Sequence, residues 1–97
     1  MYEVQQTSVY SAWYRSLRDQ QAKGRITSRL LRLTTGNFGD AKSVGDSVHE
    51  LRLTFGPGYR VYFTRRGDRI ILLLCGGDKG SQSRDIAQAK RLASELE

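Results

Sequence analysis

The sequence predicts a small α+β domain, spanning residues 1–97, in which a helical hairpin packs on a twisted antiparallel sheet. Three observations lead to this prediction. The chain has 97 residues, a length typical of one domain with one modest core. Its apolar spacing changes along the chain in the order β-α-α-β-β-β-α. The last three strands are joined by very short turns, and such turns require antiparallel neighbours.

The first third of the chain carries one strand and two helices. Alternation over residues 2–6 predicts the strand, and a hydroxyl at Thr7 or Ser8 can cap the first helix. Asp19 can cap the second helix, and Gly36 is a natural residue to end it. The apolar stripes of the two helices are Val9, Trp13 and Leu17, and then Ala22, Ile26, Leu30 and Leu33.

The rest of the chain alternates short strands with turns and ends in a helix. Residues 36–47 are rich in Gly, Asp and Ser and predict a loop. Residues 70–74 are continuously apolar, which predicts an interior strand covered on both faces. Ser81 or Ser83 can cap the last helix, whose predicted buried stripe is Ile86, Ala89, Ala93 and Leu96. The three predicted strands are 48–55, 58–65 and 69–75.

Charge is the main functional signal in the composition. The formal net charge is +6, the sequence pI is about 9.9, and twelve of the sixteen basic residues are Arg. Arginine forms planar, bidentate contacts with phosphate, so a nucleic acid or another acidic partner is expected. The single cysteine, Cys75, follows an apolar run and is expected to be a packing residue. The sequence shows neither a signal peptide nor a membrane-spanning run, so we expect a cytoplasmic protein.

A basic sheet face is the first candidate site. Strand alternation places Arg52, Arg60 and Tyr62 on one side, opposite the leucine, valine and phenylalanine side that should face the helices. Three such side chains can converge on one phosphate, because neighbouring strands lie about 4.8 Å apart. RNA cleavage through the 2′-OH would also need a proton carrier, for which Glu50, Tyr62 and His49 are candidates. Alternation turns His49 toward the helices, which favours a structural role.

The alternative is that this face has only a structural role. Outward residues such as Arg52 and Glu50 often serve only as cross-strand partners.

A glycine-rich corner, residues 76–82, is the second candidate site. Free backbone N–H groups at a helix start attract phosphate, and Lys79 would add a positive charge. The corner is not a Walker A motif, because Lys79 precedes Gly80 instead of following a glycine directly before Ser or Thr. The simpler interpretation is a tight strand-to-helix turn in which the glycines adopt unusual backbone angles. No spacing of Cys and His suggests zinc, and we expect no metal or cofactor.

Three motifs in this order resemble the toxins of the RelE/ParE superfamily, and most of all its HigB-like addiction module killer branch. They are Glu50-Leu51-Arg52, Gly58-Tyr59-Arg60-Val61 and Gly76-Gly77-Asp78-Lys79. The resemblance implies the fold predicted above and the toxin of a type II toxin–antitoxin pair. It further implies a metal-independent endoribonuclease that cuts mRNA in the ribosomal A site and is held inactive by a small helix-turn-helix antitoxin. ParE-like members share the fold and inhibit DNA gyrase by protein–protein contact.

The resemblance also implies roles for particular residues. Arg60 matches the family arginine that contacts phosphate, Arg52 matches the basic residue of the preceding strand, and Lys79 lies where related enzymes carry a histidine. Those enzymes place a tyrosine and an acid nearby. Asp78 or Asp85 would be the acid, but residues 82–84 contain no tyrosine.

These comparisons define the expected site. Its catalytic residues are Arg52, Arg60, Lys79 and Glu50, and its RNA-binding residues are Arg52, Arg60, Tyr62, Lys79 and Gln82. Because a tyrosine is missing from the corner, two other interpretations stay open. They are a gyrase inhibitor and a basic RNA-binding module without catalysis.

Overall fold

The computed structural model describes residues 1–96 and confirms the α+β class. Five strands, three helices and one short 3-10 turn follow one another along this part of the chain. They are β1 (Glu3–Gln6), α1 (Ser8–Ser16), α2 (Gln20–Thr34), β2 (Ala41–Gly45), β3 (Val48–Arg52), β4 (Arg60–Arg66), β5 (Ile70–Gly77), the 3-10 turn (Lys79–Ser81) and α3 (Gln82–Glu95).

The sheet differs from the prediction in two details. Its order is β1-β5-β4-β3-β2, and β1 pairs with β5 in parallel, so the sheet is mixed and not wholly antiparallel. Short turns set the directions only of the strands they join, and β1 reaches β5 through tertiary packing. The second difference is β2, which lies within the predicted loop of residues 36–47. It pairs with β3 through a tight turn in which Gly45, Asp46 and Ser47 all have positive φ.

The predicted helix caps are confirmed at the start of the hairpin. The Thr7 hydroxyl accepts a hydrogen bond from the Tyr10 N–H at 3.0 Å, and the Asp19 carboxylate accepts one from the Gln21 N–H at 2.9 Å. Gly36 follows α2 with φ +84°, as expected for a residue that ends a helix. The start of the last helix differs from the prediction. Ser81 occupies the N-cap position of α3 but makes no side-chain capping bond, and Asp78 caps the 3-10 turn that precedes the helix.

The helical hairpin packs on one face of the sheet, which we call the hairpin face. Its core is apolar and contains Tyr10, Ile26, Leu33, Leu51, Leu53, Val61, Phe63, Ile71 and Leu73. Trp13 of α1 lies directly against Gly76, where a Cβ atom would come within 2.2 Å of the indole. A glycine is therefore required at this point of β5.

Helix α3 covers the opposite face, which we call the α3 face. The apolar residues buried there are Val48, Tyr62, Leu74, Cys75, Ala89 and Ala93. The pairing of β4 with β5 shifts register beside Leu74, so that Leu74 and Cys75 both join this cluster. The prediction that β5 is covered on both faces is confirmed. Cys75 is a buried packing residue, and burial raises the pKa of its thiol to about 12. Leu96, predicted in the buried stripe, is 46% exposed.

Within residues 1–96, no helix has both the length and the apolar character needed to cross a bilayer.

Candidate functional site

The predicted open basic face is closed in the structure. Tyr62 and Glu50 are 0% exposed, and Arg60 is 9% exposed, because α3 packs over them. Alternation correctly placed these residues on one side of the sheet. It did not show that a helix covers that side, although the apolar run of β5 implied that both faces are buried. The predicted basic sheet face is therefore not free to solvent, and Arg60 is a largely buried strand residue.

A buried carboxylate is the centre of the site. Oε2 of Glu50 accepts hydrogen bonds from the Tyr62 hydroxyl at 3.1 Å and from the Gln82 side-chain amide at 2.6 Å. Its Oε1 lies 3.9 Å from Nε of Arg60, in an ion pair. Four of the predicted site residues thus meet around one group, and they come from β3, β4 and the start of α3.

Arg60 is held from two sides. Its Nη1 donates to the carbonyl oxygens of Gly58 at 3.0 Å and Tyr59 at 3.2 Å, while Glu50 faces its Nε. The guanidinium consequently has a fixed position at the edge of the α3 face, and its side chain keeps 11% of its surface exposed. Such fixation removes most of the rotamer freedom of a long side chain before any ligand arrives.

Lys79 reaches the same edge from the other side of Gly58. A Cβ atom at position 58 would lie 3.3 Å from Cβ of Lys79 and 3.4 Å from Nη1 of Arg60. Gly58 has φ +78°, so both its backbone angle and the close approach favour glycine. The two cationic residues are neighbours there. An open cleft of about 360 Å³ begins at Lys79 and is also lined by Gly80, Ser81, Gln82, Ser83 and Arg84.

The glycine-rich corner is a structural turn. The Asp78 carboxylate accepts hydrogen bonds from the N–H groups of Gly80 and Ser81, at 2.8 and 3.2 Å. These N–H groups are therefore already bonded, and the corner does not act as a bare helix start for phosphate. Asp85 accepts a hydrogen bond from the Ser81 hydroxyl and lies against Gly77, where a Cβ atom would collide with it. Both carboxylates that the family resemblance offered as the acid are thus engaged in the turn.

Arg52 belongs to a separate ion pair. It lies opposite Arg60 in the register of β3 and β4, but its guanidinium extends to Asp40, with Nη2 3.0 Å from Oδ1. Its side chain is 36% exposed. Arg52 therefore flanks the Glu50 cluster and does not enter it. Asp40 was not expected as its partner, because Asp40 is brought beside β3 by the unpredicted strand β2, which it directly precedes.

The candidate proton carriers are poorly placed for transfer at neutral pH. Burial and the neighbouring Glu50 raise the pKa of Tyr62 well above its usual value. The Glu50 carboxylate is fully buried and already accepts two hydrogen bonds. His49 lies on the hairpin face, stacked on Phe63 at 5.4 Å, and burial and Arg65 lower its pKa. The structural role predicted for His49 is consistent with this position.

The arrangement of positive charges is suited to binding an anion and stabilising negative charge on it. Arg60 and Lys79 lie on either side of Gly58 at the edge of the α3 face, and a buried network fixes Arg60. Preorganised charges of this kind stabilise developing negative charge at little reorganisation cost. Within residues 1–96, no cluster of three or more His, Cys, Asp or Glu side chains has an arrangement suited to a metal ion.

Comparison with known proteins gives one sequence relative and a shared fold. No family model matches the chain. An uncharacterized protein of Haemophilus influenzae, strain Rd, is 47% identical over 94 residues, which cover 97% of this chain and 95% of that protein.

Two solved structures share the fold at low sequence identity. A mutant of the E. coli toxin RelE in the free state superposes with a TM-score of 0.76 at 14% identity, over 93% of this chain and 95% of that one. The intact E. coli RelBE toxin–antitoxin complex gives a TM-score of 0.65 at 11% identity, over 80% of this chain and 96% of the matched chain. The chain therefore has the fold of RelE.

Proposed function

The chain belongs to the same family as the Haemophilus influenzae protein and has the fold of RelE, and from these premises we propose that it is the toxin of a type II toxin–antitoxin pair. The three motifs around Glu50, Gly58 and Gly76 support a place in the HigB-like branch. We further propose that the toxin is a ribosome-dependent mRNA endoribonuclease of the cytoplasm. The observation that carries this proposal is the fixed guanidinium of Arg60 beside Lys79.

The proposed chemistry is electrostatic. When the 2′-OH of an RNA attacks the neighbouring phosphate, it gives its proton to water, a 2′,3′-cyclic phosphate forms as the P–O5′ bond breaks, and the 5′ oxygen takes up a proton from water. During this step negative charge grows on the non-bridging oxygens and on the leaving 5′ oxygen. Arg60 and Lys79 would hold the phosphate and stabilise this charge, in a site that needs no metal. Arg52 would bind a flanking phosphate, since its guanidinium is partly exposed on the same side of the sheet. The ribosome would supply the geometry of the RNA strand.

Three expected site residues take a different role in this proposal. Glu50, Tyr62 and Gln82 act as positioning residues, because the hydroxyl and the amide hold the carboxylate that in turn faces Arg60. Neither Glu50 nor Tyr62 would carry the proton. Lys79 and Arg84 are both exposed cationic groups of the cleft, and we assign Lys79 to the leaving oxygen because it neighbours Arg60 across Gly58.

The proposed partner is a small helix-turn-helix antitoxin. The RelBE structure contains a toxin with its antitoxin, and this chain offers a basic surface to an acidic or amphipathic segment. Arg25, Arg29 and Arg32 follow one side of α2 and line a groove of about 220 Å³ beside Phe55. Light scattering on the free and antitoxin-bound protein would show whether one stable complex forms.

Mapping of new RNA 5′ ends tests the activity. The protein, its Lys79→Ala variant and an Arg69→Ala control are induced in bacteria for a few minutes. Arg69 is a matched control because it is exposed and basic but precedes β5, whereas Lys79 follows its other end. We expect ends in phase with codons inside translated messages for the natural protein and for Arg69→Ala. Such ends should be missing for Lys79→Ala.

A gyrase inhibitor is the second candidate. The observation in its favour is that Glu50 and Tyr62 are buried and His49 lies on the other face, so that none of these three candidate proton carriers is exposed beside Arg60. An inhibitor that acts by protein–protein contact needs none. Growth arrest without new RNA ends, together with loss of supercoiling by purified gyrase, would select this candidate over the ribonuclease.

A further inference from the structure

A small open cavity lies on the hairpin face, across the sheet from Glu50. It has a volume of about 150 Å³ and is lined by Phe38, Ala41, His49, Phe63 and Arg65. His49 and Glu50 are consecutive residues of β3 and therefore point to opposite faces. None of the five residues belongs to the proposed toxin site.

The walls of the cavity are nearly parallel rings. Phe63 stacks on Phe38 with centroids 6.1 Å apart and an interplanar angle of 12°. The His49 imidazole also stacks on Phe63, with ring centroids 5.4 Å apart and an interplanar angle of 17°. Phe63 is buried in the core, whereas Phe38 and His49 keep part of their surface exposed. A flat ligand can therefore align with rings whose orientation is already fixed.

Polar groups are present at the same place. The Arg65 guanidinium lies 5.5 Å from the centroid of Phe38, and its Nη1 donates to the Tyr2 hydroxyl at 3.0 Å. Nδ1 of His49 is buried and has no hydrogen-bond partner among residues 1–96. The lowered pKa of His49 keeps the imidazole neutral near pH 7, so that one ring nitrogen donates and the other accepts.

We propose that this cavity binds a single-ring nucleobase, that is, a pyrimidine of RNA or of a free nucleotide. A cavity of about 150 Å³ is known to hold one benzene-sized ring in another protein. Unstacked bases are bound by Phe, Tyr, Trp or His rings and by Arg guanidinium planes, which is the set found here. Arg65, exposed at the rim, would bind the phosphate attached to that base. This proposal does not depend on the toxin activity, because it concerns another face of the molecule.

An NMR titration tests the proposal on the whole protein. The ring protons of His49, the one histidine of the chain, are followed as uridine or cytidine 5′-monophosphate is added at constant ionic strength. We expect a saturable upfield shift, because a stacked base adds its ring current. Ribose 5-phosphate, which has the sugar and phosphate but no base, is the control and should leave these protons unshifted.

Two variants make the test specific. Phe38→Leu keeps an apolar side chain but removes one ring, and it should weaken nucleotide binding roughly tenfold, within the range measured for loss of one base-stacking residue. Arg65→Gln changes an exposed side chain and should weaken nucleotide binding severalfold, with less effect on a nucleoside. Unchanged dispersion of the Trp13 indole signal would show that each variant is folded.

Three results would overturn the proposal. Equal shifts with ribose 5-phosphate would mean that Arg65 binds anions without a base. An absence of any shift with either pyrimidine nucleotide would mean that the rings only pack, or that they meet another protein. Unchanged affinity in a folded Phe38→Leu protein would show that the base does not stack there. None of these results bears on RNA cleavage at Lys79, so the two proposals can fail separately.

Discussion

The two faces of the sheet are buried by different chemistry. Under the helical hairpin the core consists of aliphatic and aromatic side chains, including Ile26, Leu51 and Phe63. Under α3 a carboxylate, a guanidinium and a phenol meet, and the helix contributes mainly alanines. Apolar burial is the main favourable term in folding, so the hairpin face supplies most of the stability. The α3 face carries a desolvation cost that its Coulombic attraction has to offset.

The polar network of the α3 face contributes more to the position of Arg60 than to stability. A buried ion pair is weak evidence for stability, since well-packed apolar residues often do as well or better. The network does, however, fix Arg60 at the rim beside Lys79, which an apolar core could not do. We infer that the hairpin face determines whether the chain folds, and that the α3 face determines where its positive charge is held.

Removal of the central carboxylate should have the largest effect on stability. Glu50→Ala leaves Arg60 without its buried counter-charge, and we expect a loss of about 3–5 kcal/mol in the free energy of unfolding. Urea denaturation followed by Trp13 fluorescence would measure it. On the hairpin face, Leu51→Ala is the matched variant and should cost about 2–5 kcal/mol through a cavity. A loss below about 1 kcal/mol for Glu50→Ala would contradict the ion pair.

Removal of the hydroxyl group should affect stability differently at two buried tyrosines, Tyr62 and Tyr10. Tyr62→Phe removes a hydrogen bond to the Glu50 carboxylate and should cost about 1.5–3 kcal/mol. Tyr10→Phe, on the hairpin face, removes a buried hydroxyl that has no hydrogen-bond partner in the described part of the chain, and it should be neutral or stabilising. Denaturation midpoints of the two variants would give the comparison directly. Equal losses would mean that the Glu50 network is no stronger than an ordinary buried contact.

Substitution of Lys79, at the rim of the α3 face, should change toxicity without changing stability. Lys79 is exposed, so Lys79→Ala should change the free energy of unfolding by less than about 0.5 kcal/mol. We expect its toxicity to bacteria to be lost all the same, while Arg69→Ala stays both stable and toxic. Colony counts after induction, combined with thermal unfolding of the purified proteins, would show this. A folded Lys79→Ala protein of full toxicity would remove Lys79 from the site.

The smallest expected effect is a dependence of stability on pH from the hairpin face. The pKa of His49 is lower in the folded protein than its ordinary value of 6.5, so the unfolded chain binds more protons in that range. Stability is therefore expected to fall as pH decreases below 6.5, until the folded-state pKa has been passed. Urea titrations between pH 7 and pH 5 would measure the slope. His49→Gln should flatten it, and an unchanged slope would assign the effect to other groups.

The sequence predicted the fold well because its signals are local. Thr7 and Asp19 cap helices through neighbouring N–H groups, and β4 and β5 are joined by a turn of only three residues, 67–69. Strand β2 was missed since its residues are polar and its pairing with β3 depends on positive φ angles at Asp46 and Ser47. Parallel pairing of β1 was missed because it joins segments far apart in the chain.

The sequence predicted that some of the site residues lie together, but not what surrounds them. Alternation and motifs selected Glu50, Arg60, Tyr62 and Gln82, which the structure brings together around one carboxylate. Periodicity states which side chains share a face but not what lies above that face. Helix α3 covers Glu50, which was expected to be a base, and Tyr62, which was expected to contact RNA. In the proposed site both residues hold Arg60 in place. The predicted catalytic and RNA-binding assignments themselves remain predictions.

Cleavage of a defined mRNA on purified ribosomes tests the central claim most directly. The natural protein, Lys79→Ala and Arg69→Ala are each mixed with ribosomes that hold a known codon in the A site, and the rate of a single round of cutting is measured. We expect cutting at that codon only when ribosomes are present, at equal rates for the natural protein and Arg69→Ala, and roughly 100-fold slower for Lys79→Ala. No cutting by the natural protein, or equal rates for all three, would contradict it.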